Sequence, residues 1–150
     1  MNLSVTAMVA IGLASTPVVS ACAESEPTEQ SAMSATSLAP EVSPSEAQNL
    51  QDKGALLIDV RTPEEWEQTG IPADAHTITL QDADFLKQVE RLTGGDKDQP
   101  VAFICRSGNR SAKARDRLVQ EGYTNVTSVA GGVAGEEGWI AEDLPVREYP

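Results

Sequence analysis

The sequence has few of the residues that metal sites, disulfide frameworks and nucleic-acid surfaces require. Its 150 residues include two cysteines, Cys22 and Cys105, and one histidine, His76. The two cysteines lie far apart and match no zinc spacing, and a single histidine excludes a multi-histidine metal site. Only 11 Lys and Arg accompany 23 Asp and Glu, which gives a net charge of −12. This charge argues against nucleic-acid binding, which requires a basic face.

Charged side chains are also missing from the N-terminal stretch that precedes Glu24. Leu3 to Val19 is apolar or small, but it is too short and too rich in Ala, Ser and Thr for a good membrane-spanning helix. The run predicts a secretory signal over residues 1–21. No Lys or Arg precedes it, which departs from the usual signal pattern.

The signal ends in Val19-Ser20-Ala21-Cys22, which resembles a bacterial lipobox. That resemblance implies cleavage before Cys22 and acylation of its sulfur. We therefore expect an exported protein, either periplasmic or anchored to a membrane as a lipoprotein through Cys22. Ala23 after the cysteine favours an outer membrane. The alternatives are ordinary secretion with cleavage nearby and a cytoplasmic chain with an uncleaved tail.

Residues 22–40 are rich in Ser, Thr, Glu, Pro and Ala and show no apolar periodicity. This composition predicts a disordered, acidic linker. From residue 41 to 150, apolar runs alternate with helical patterns, which predicts an α/β fold with a parallel sheet. Four runs predict strands: Ala55–Val60, His76–Leu80, Pro100–Ile104 and Asn125–Val129. Four segments predict helices: Ser43–Asp52, a short acidic helix from Thr62, Asp82–Leu92, and Ser111–Gln120 with Leu118 and Val119 facing inward.

One strand–loop–helix unit contains the candidate functional residues of the chain. Cys105 directly follows the strand at Pro100–Ile104, and the loop Arg106-Ser107-Gly108-Asn109-Arg110-Ser111 leads into the next helix. In α/β sheets, anions bind where a strand's carboxyl end feeds a helix N-terminus. Backbone N–H groups that converge there would stabilise a sulfur anion. We therefore expect a thiol pKa of roughly 3.5–7.5, below the ordinary value of about 8.5.

The heptapeptide Cys105-Arg106-Ser107-Gly108-Asn109-Arg110-Ser111 resembles the active-site loop of the rhodanese (sulfurtransferase) family. Cys105 and Arg110 stand at the two ends of its C-x-x-x-x-R pattern. The resemblance implies a single rhodanese-like domain over residues 41–150. It also implies an open parallel five-stranded sheet with helices on both faces.

Three further segments carry the resemblance. Asp59-Val60-Arg61 before the short acidic helix resembles the family's first signature, and we interpret Asp59 and Arg61 as a structural pair. Gly70-Ile71-Pro72-Ala73-Asp74-Ala75 matches the second signature only in part, because the usual histidine is absent. Gly131-Gly132 corresponds to a glycine pair beside the active-site loop. The later position of Trp139 implies an insertion within Val133–Gly138, which carries Glu136 and Glu137.

The resemblance implies a sulfurtransferase in which Cys105 is the catalytic nucleophile. It would take a sulfane sulfur from a small anionic, thiosulfate-like donor as a persulfide and pass it to a thiol, cyanide or protein-cysteine acceptor. Arg106 and Arg110 would bind the donor through charge-assisted hydrogen bonds. Backbone N–H groups of residues 106–110 would stabilise the sulfur anion. The remaining substrate-binding positions are Ser107, Gly108, Asn109 and Ser111, and neither a metal nor an organic cofactor is needed.

Two other functions compete with sulfur transfer. A cysteine phosphatase or arsenate reductase uses a similar loop, but its arginine usually stands one position later, where this chain has Ser111. A non-enzymatic tethered module could instead use Cys105 to sense oxidants or to bind sulfur, since a low-pKa thiol is also what oxidants attack. The lack of a nearby second cysteine weakens a disulfide switch.

Overall fold

Five short parallel strands form the central sheet of the protein in a computed structural model that describes residues 38–150. The strands within these residues are β1 (Glu41–Val42), β2 (Leu56–Asp59), β3 (Ile71–Pro72), β4 (His76–Thr77), β5 (Val101–Ile104), β6 (Val126–Val129) and β7 (Val146–Arg147). The helices are α1 (Pro44–Asp52), α2 (Pro63–Thr69), α3 (Phe85–Thr93) and α4 (Asn109–Gln120). The sheet order is β1-β6-β5-β2-β4, and β3 pairs separately with β7 in antiparallel fashion.

The predicted signal sequence, the Cys22 lipidation site and the linker up to residue 37 lie outside the described residues. Among residues 38–150, no helix is long and apolar enough to cross a membrane.

The sheet is buried on both faces, as its nearly continuous apolar strands predict. Successive residues of a strand point to opposite faces. On one face, side chains from β2 and β5 pack with α3 and α4, and the cluster includes Ile58, Phe103, Phe85, Val89 and Leu118. On the other face, they pack with α1 and the segment after β6, and the cluster includes Leu57, Ile104, Ala47, Val133 and Trp139. The expected arrangement of helices on both faces of a five-stranded parallel sheet is confirmed.

Local sequence signals set several of the element boundaries. The Ser43 N–H donates to the Glu46 carboxylate at 2.8 Å, and the Glu46 N–H donates back to the Ser43 hydroxyl at 3.3 Å. This capping box starts α1 where the sequence predicts. At the other end of a helix, Gly94 takes a left-handed conformation and ends α3.

The stretch between β4 and α3 differs from the prediction. The Asp82 N–H donates to the Thr79 carbonyl and the Phe85 N–H to the Asp82 carbonyl, each at 3.1 Å. These turns take up residues that the periodicity assigned to a longer strand and a longer helix, so β4 ends at Thr77 and α3 begins at Phe85. On α4, Val119 is 49% exposed instead of buried, and Ala114 faces the core in its place.

The fifth strand of the sheet comes from a segment in which the sequence shows no strand pattern. Glu41 and Val42 pair with Ser128 and Val129 of β6 in parallel register. The Ala130 N–H donates to the Val42 carbonyl at 2.8 Å and extends this pairing. A two-residue strand carries no periodic signal of its own, so only its pairing with β6 identifies it.

Candidate active site

Cys105 follows β5, which lies in the middle of the sheet between β6 and β2. Residue Cys105 is only 1% exposed, so its sulfur lies at the bottom of the loop that follows. The loop turns back at Gly108, whose φ of +98° is a conformation that side-chain-bearing residues rarely adopt. The following residue, Asn109, begins α4. The sulfur therefore lies where the sheet's carboxyl edge meets a helix N-terminus, which favours negative charge.

Hydrogen-bond donors surround the Cys105 sulfur. The Gly108 N–H donates to Sγ at 3.1 Å. The Ser111 Oγ lies 3.5 Å from Sγ, a contact in which either group can donate, and the Ser111 hydroxyl donates to the Gly108 carbonyl at 2.8 Å. Burial raises the pKa of the Cys105 thiol, but hydrogen bonds from the Ser111 hydroxyl and from the N–H groups of Ser111, Ser107 and Gly108 outweigh it. The net pKa lies below the ordinary value, so the site favours the thiolate.

The segment after β6 holds the peptide planes of the cysteine loop. The Val133 N–H donates to the Cys105 carbonyl at 2.7 Å, and the Ala134 N–H donates to the Arg106 carbonyl at 3.0 Å. In a trans peptide the C=O and the next N–H point in opposite directions. Because Val133 and Ala134 hold these two carbonyls, the N–H groups that follow them in the loop point away from the segment after β6. The Ser107 N–H is one of these groups, and its hydrogen bond helps to lower the pKa of the Cys105 thiol.

The glycine pair allows the close approach of that segment to the loop. A Cβ on Gly132 would lie 2.3 Å from the Cys105 carbonyl oxygen, and one on Gly131 would lie 2.5 Å from the Glu137 carbonyl oxygen. Both glycines also have positive φ angles, +68° at Gly131 and +62° at Gly132. The glycine pair thus lies beside the cysteine loop, as the resemblance implied.

Arg110 is engaged by a carboxylate that the sequence did not connect with it. Its Nη1 and Nη2 donate to the two oxygens of Glu65 at 2.6 Å each. The Arg110 hydrogen bonds hold the pKa of the Glu65 carboxyl at about 2 against the opposing effect of partial burial. The same contact raises the pKa of Arg110. Glu65 also accepts the Thr62 N–H at 3.1 Å, so the same carboxylate caps the start of α2.

A buried ion pair fixes the helix that carries Glu65. Arg61 is 1% exposed, and its guanidinium donates to both carboxylate oxygens of Asp59, with a shortest distance of 2.6 Å. It also donates to the Thr69 hydroxyl and the Gly70 carbonyl, each at 2.7 Å, at the end of α2. The structural role expected for Asp59 and Arg61 is confirmed. Because the pair holds the end of α2 against β2, it fixes the helix from which Glu65 reaches Arg110.

The other loop side chains lie at the surface: Arg106, Ser107 and Asn109 are exposed. Arg106 lines a small cleft of about 80 Å³ together with Glu65, Gln68 and Ala134. Among the hydrogen bonds and ion pairs of residues 38–150, none involves the Arg106 guanidinium. Arg106 is therefore the loop cation available to an incoming anion, whereas Arg110 is paired.

The insertion borders the loop through Ala134, whereas its two acids lie elsewhere. Glu136 and Glu137 line a separate groove with Ser43, Pro44 and Glu142. The acids of the insertion are therefore not among the residues that line the cleft beside Arg106.

Comparison with known proteins agrees with this geometry. Residues 43–139 match the family described as Rhodanese-like domain. The chain belongs to this family. Thiosulfate sulfurtransferase GlpE of Pseudomonas syringae pv. syringae (strain B728a) is 37% identical over 91 residues, which cover 61% of this chain and 80% of the relative. Uncharacterized protein RP600 of Rickettsia prowazekii (strain Madrid E) is 32% identical over 103 residues, covering 63% and 84%.

Solved structures of the rhodanese-like fold align with most of the described domain. Rv0390 from M. tuberculosis has a TM-score of 0.64 and 27% identity, and the alignment covers 75% of this chain and all of that one. The polysulfide-sulfur transferase homodimer from Wolinella succinogenes has a TM-score of 0.58 and 27% identity, covering 73% and 78%. In this rhodanese-like domain, the glycine pair lies against the cysteine loop. The Asp59–Arg61 pair is connected to the same loop through α2 and the contact between Glu65 and Arg110.

Proposed function

We propose that the protein is a sulfurtransferase that moves a sulfane sulfur from a thiosulfate-like donor to a thiol, cyanide or protein-cysteine acceptor. One observation carries the proposal: the Cys105 sulfur lies among N–H and O–H donors, with the Gly108 N–H at 3.1 Å. Such donors stabilise a sulfur anion both before and after it accepts a sulfur atom. The names of two relatives support the same chemistry, since one is called a thiosulfate sulfurtransferase and the other a polysulfide-sulfur transferase.

In the first step, the Cys105 thiolate attacks the outer sulfur of thiosulfate. A bond forms between Sγ and that sulfur, and the bond between the two thiosulfate sulfurs breaks. The bonding electron pair leaves with sulfite, and Cys105 becomes a persulfide anion. The total charge of −3 is the same on both sides, and no metal or organic cofactor takes part.

In the second step, the acceptor attacks the outer sulfur of the persulfide. With cyanide, a carbon–sulfur bond forms, thiocyanate departs, and the electron pair of the broken S–S bond restores the Cys105 thiolate. A thiol acceptor in its thiolate form reacts in the same way and leaves as a persulfide. The hydrogen bonds that lower the pKa of Cys105 make this thiolate a better leaving group.

The two loop arginines have different roles in this proposal. Arg106, which lines the cleft of about 80 Å³, attracts the anionic donor and orients its sulfonate end. Arg110 stays paired with Glu65 and does not bind the donor directly. Its positive charge lies close enough to Cys105 for the guanidinium and the thiolate to stabilise each other. The deeply placed Cys105 sulfur favours a donor of few atoms.

Formation of thiocyanate from thiosulfate and cyanide tests this function. We expect turnover by the wild-type chain and none by Cys105→Ala. Arg106→Gln should raise the KM for thiosulfate about tenfold, which corresponds to the loss of one charge-assisted hydrogen bond. Lys113→Gln, which removes an equal charge from an exposed site on α4, should leave the KM unchanged. Hydrolysis of p-nitrophenyl phosphate without thiocyanate formation would instead show a phosphatase.

We also propose that the protein is exported and anchored to a membrane through an acylated Cys22. Support comes from the uncharged run up to Val19 and from the lipobox-like ending Val19-Ser20-Ala21-Cys22. Metabolic labelling with an alkyne-tagged fatty acid should mark the wild-type chain in the membrane fraction and should not mark Cys22→Ser. A wild-type chain that stays unlabelled and soluble in the cytoplasm would contradict the anchor.

A further inference from the structure

β4 forms one open edge of the parallel sheet. The Ile78 N–H donates to the Asp59 carbonyl of β2 at 3.1 Å. Because neighbouring residues of a strand direct their N–H and C=O groups to opposite sides, those of Ala75 and Thr77 point away from β2. The Ala75 carbonyl indeed accepts a hydrogen bond from an Arg147 Nη at 3.1 Å. The backbone of Thr77 therefore faces the open edge of the sheet.

A groove of about 370 Å³ follows this edge. Its lining residues are 75–78, three residues of α3 (Gln88, Arg91 and Leu92) and Arg147. Ala75 and Ile78 are buried and give the groove an apolar floor. No residue of the Cys105 loop lines the groove, so it is separate from the sulfur-transfer site.

The rim of the groove is basic on a chain that is strongly acidic. Its lining residues include His76, Arg91 and Arg147 but no Asp or Glu. Within the described residues, the Arg91 guanidinium takes part in none of the ion pairs or hydrogen bonds. The whole chain has a net charge of −12, which opposes the approach of an acidic ligand except where basic side chains are grouped. A local basic rim therefore selects this groove for an acidic partner.

We propose that this groove binds an extended acidic segment of a partner protein, which adds a strand beside β4. The partner's backbone pairs with the N–H and C=O of Thr77, and its carboxylates contact Arg91 and Arg147. Strand addition of this kind takes its affinity from main-chain hydrogen bonds and its specificity from alternate side chains. Small apolar residues between the acids fit the floor formed by Ala75 and Ile78. This interaction is distinct from the proposed sulfur transfer.

Charged rims also protect sheet edges against unwanted pairing. A basic rim repels basic segments and attracts acidic ones, so the two roles predict different behaviour towards peptides of opposite charge. Edge protection alone predicts weak binding of every peptide and no dependence on Arg91.

The test uses the full chain and a fluorescein-labelled peptide of alternating Glu and Val, with a Lys-Val peptide as its counterpart. We expect saturable fluorescence anisotropy for the acidic peptide at low salt and no saturation for the basic one. Arg91→Gln, which replaces a guanidinium that makes no ion pair or hydrogen bond within residues 38–150, should weaken binding about tenfold, as expected for the loss of one charged hydrogen bond. Lys53→Gln removes an equal charge beyond α1 and should change the affinity less than twofold.

Hydrogen exchange separates strand addition from simple charge attraction. The acidic peptide should slow exchange of the Thr77 amide, and thiosulfate turnover should stay the same with Arg91→Gln. The proposal is overturned if the acidic peptide fails to bind, if Arg91→Gln and Lys53→Gln behave alike, or if the Thr77 amide exchanges at the same rate with bound peptide. The three deciding readouts, which are peptide binding, the comparison of the two variants and Thr77 exchange, do not use Cys105, so a failure here leaves the sulfur-transfer proposal standing.

Discussion

Glu65→Gln tests how the Arg110 guanidinium is held beside the cysteine loop. In the native chain both Glu65 oxygens accept hydrogen bonds from Arg110 at 2.6 Å, and the pKa of Glu65 falls from 4.5 to about 2. Each tenfold change in acidity corresponds to about 1.4 kcal/mol, so folding favours the ionised carboxylate by about 3 kcal/mol. The Glu65 side chain is 22% exposed, and glutamine can still accept one hydrogen bond. We therefore expect the variant to lose about 1–2 kcal/mol at pH 7.

The loss should depend on pH in a defined direction. Because the folded-state pKa of Glu65 is depressed, its stabilisation is complete above about pH 5 and disappears as the pH falls toward 2. With pKa values of 4.5 unfolded and about 2 folded, less than half of the effect remains at pH 3, or about 1.4 of 3 kcal/mol. The difference in the free energy of unfolding between wild type and variant should therefore shrink by more than half from pH 7 to pH 3.

Urea unfolding followed by Trp fluorescence measures these differences. Glu67→Gln is the matched control, because it removes the same charge from an exposed position of the same helix, α2. We expect it to change stability by less than about 0.5 kcal/mol. Equal stability of the two variants at pH 7, or a Glu65→Gln deficit that stays constant down to pH 3, would refute the assigned role of the Glu65–Arg110 contact.

Three further predictions concern the loop and its support. In a Cys22→Ser chain, the pH profile of Cys105 alkylation by iodoacetamide should have its midpoint below about 8.5. A higher midpoint would contradict the stabilisation of the thiolate by the hydrogen bonds of the loop. Gly132→Ala should destabilise the fold by about 2 kcal/mol more than Gly95→Ala in thermal unfolding, because both have positive φ but only Gly132 faces a backbone atom at 2.3 Å. Asp59→Asn should cost about 3 kcal/mol in urea unfolding, since it leaves the buried Arg61 charge unpaired, and a loss below 1 kcal/mol would argue against that pair.

Much of the fold could be predicted from the sequence because its signals are local. The capping box at Ser43 sets the start of α1, and continuous apolar runs mark β2 and β5. β1 could not be found in this way, because Glu41 and Val42 form a strand only through their register with β6. The predicted end of β4 and the predicted start of α3 were wrong because turns occupy the residues between them. Periodicity does not show the hydrogen bonds of these turns.

The position of the candidate site could be predicted from the sequence, but its contacts between distant segments could not. The Cys105 loop was located from its own residues, since strand, glycine turn and helix start are contiguous in the chain. The pairing of Arg110 with Glu65 joins residues 45 positions apart, and the local pattern around Glu65 has its own sufficient explanation in helix capping. For the same reason the sequence did not distinguish the paired Arg110 from Arg106, which is available to a ligand.

Intact mass spectrometry of the full chain tests the central claim most directly. In a Cys22→Ser background, where Cys105 is the remaining thiol, the mass is measured before and after incubation with thiosulfate and again after cyanide. We predict a gain of one sulfur atom that cyanide removes and that Cys105→Ala abolishes. An unchanged mass in a folded chain whose Cys105 still reacts with iodoacetamide would contradict a Cys105 persulfide formed from thiosulfate.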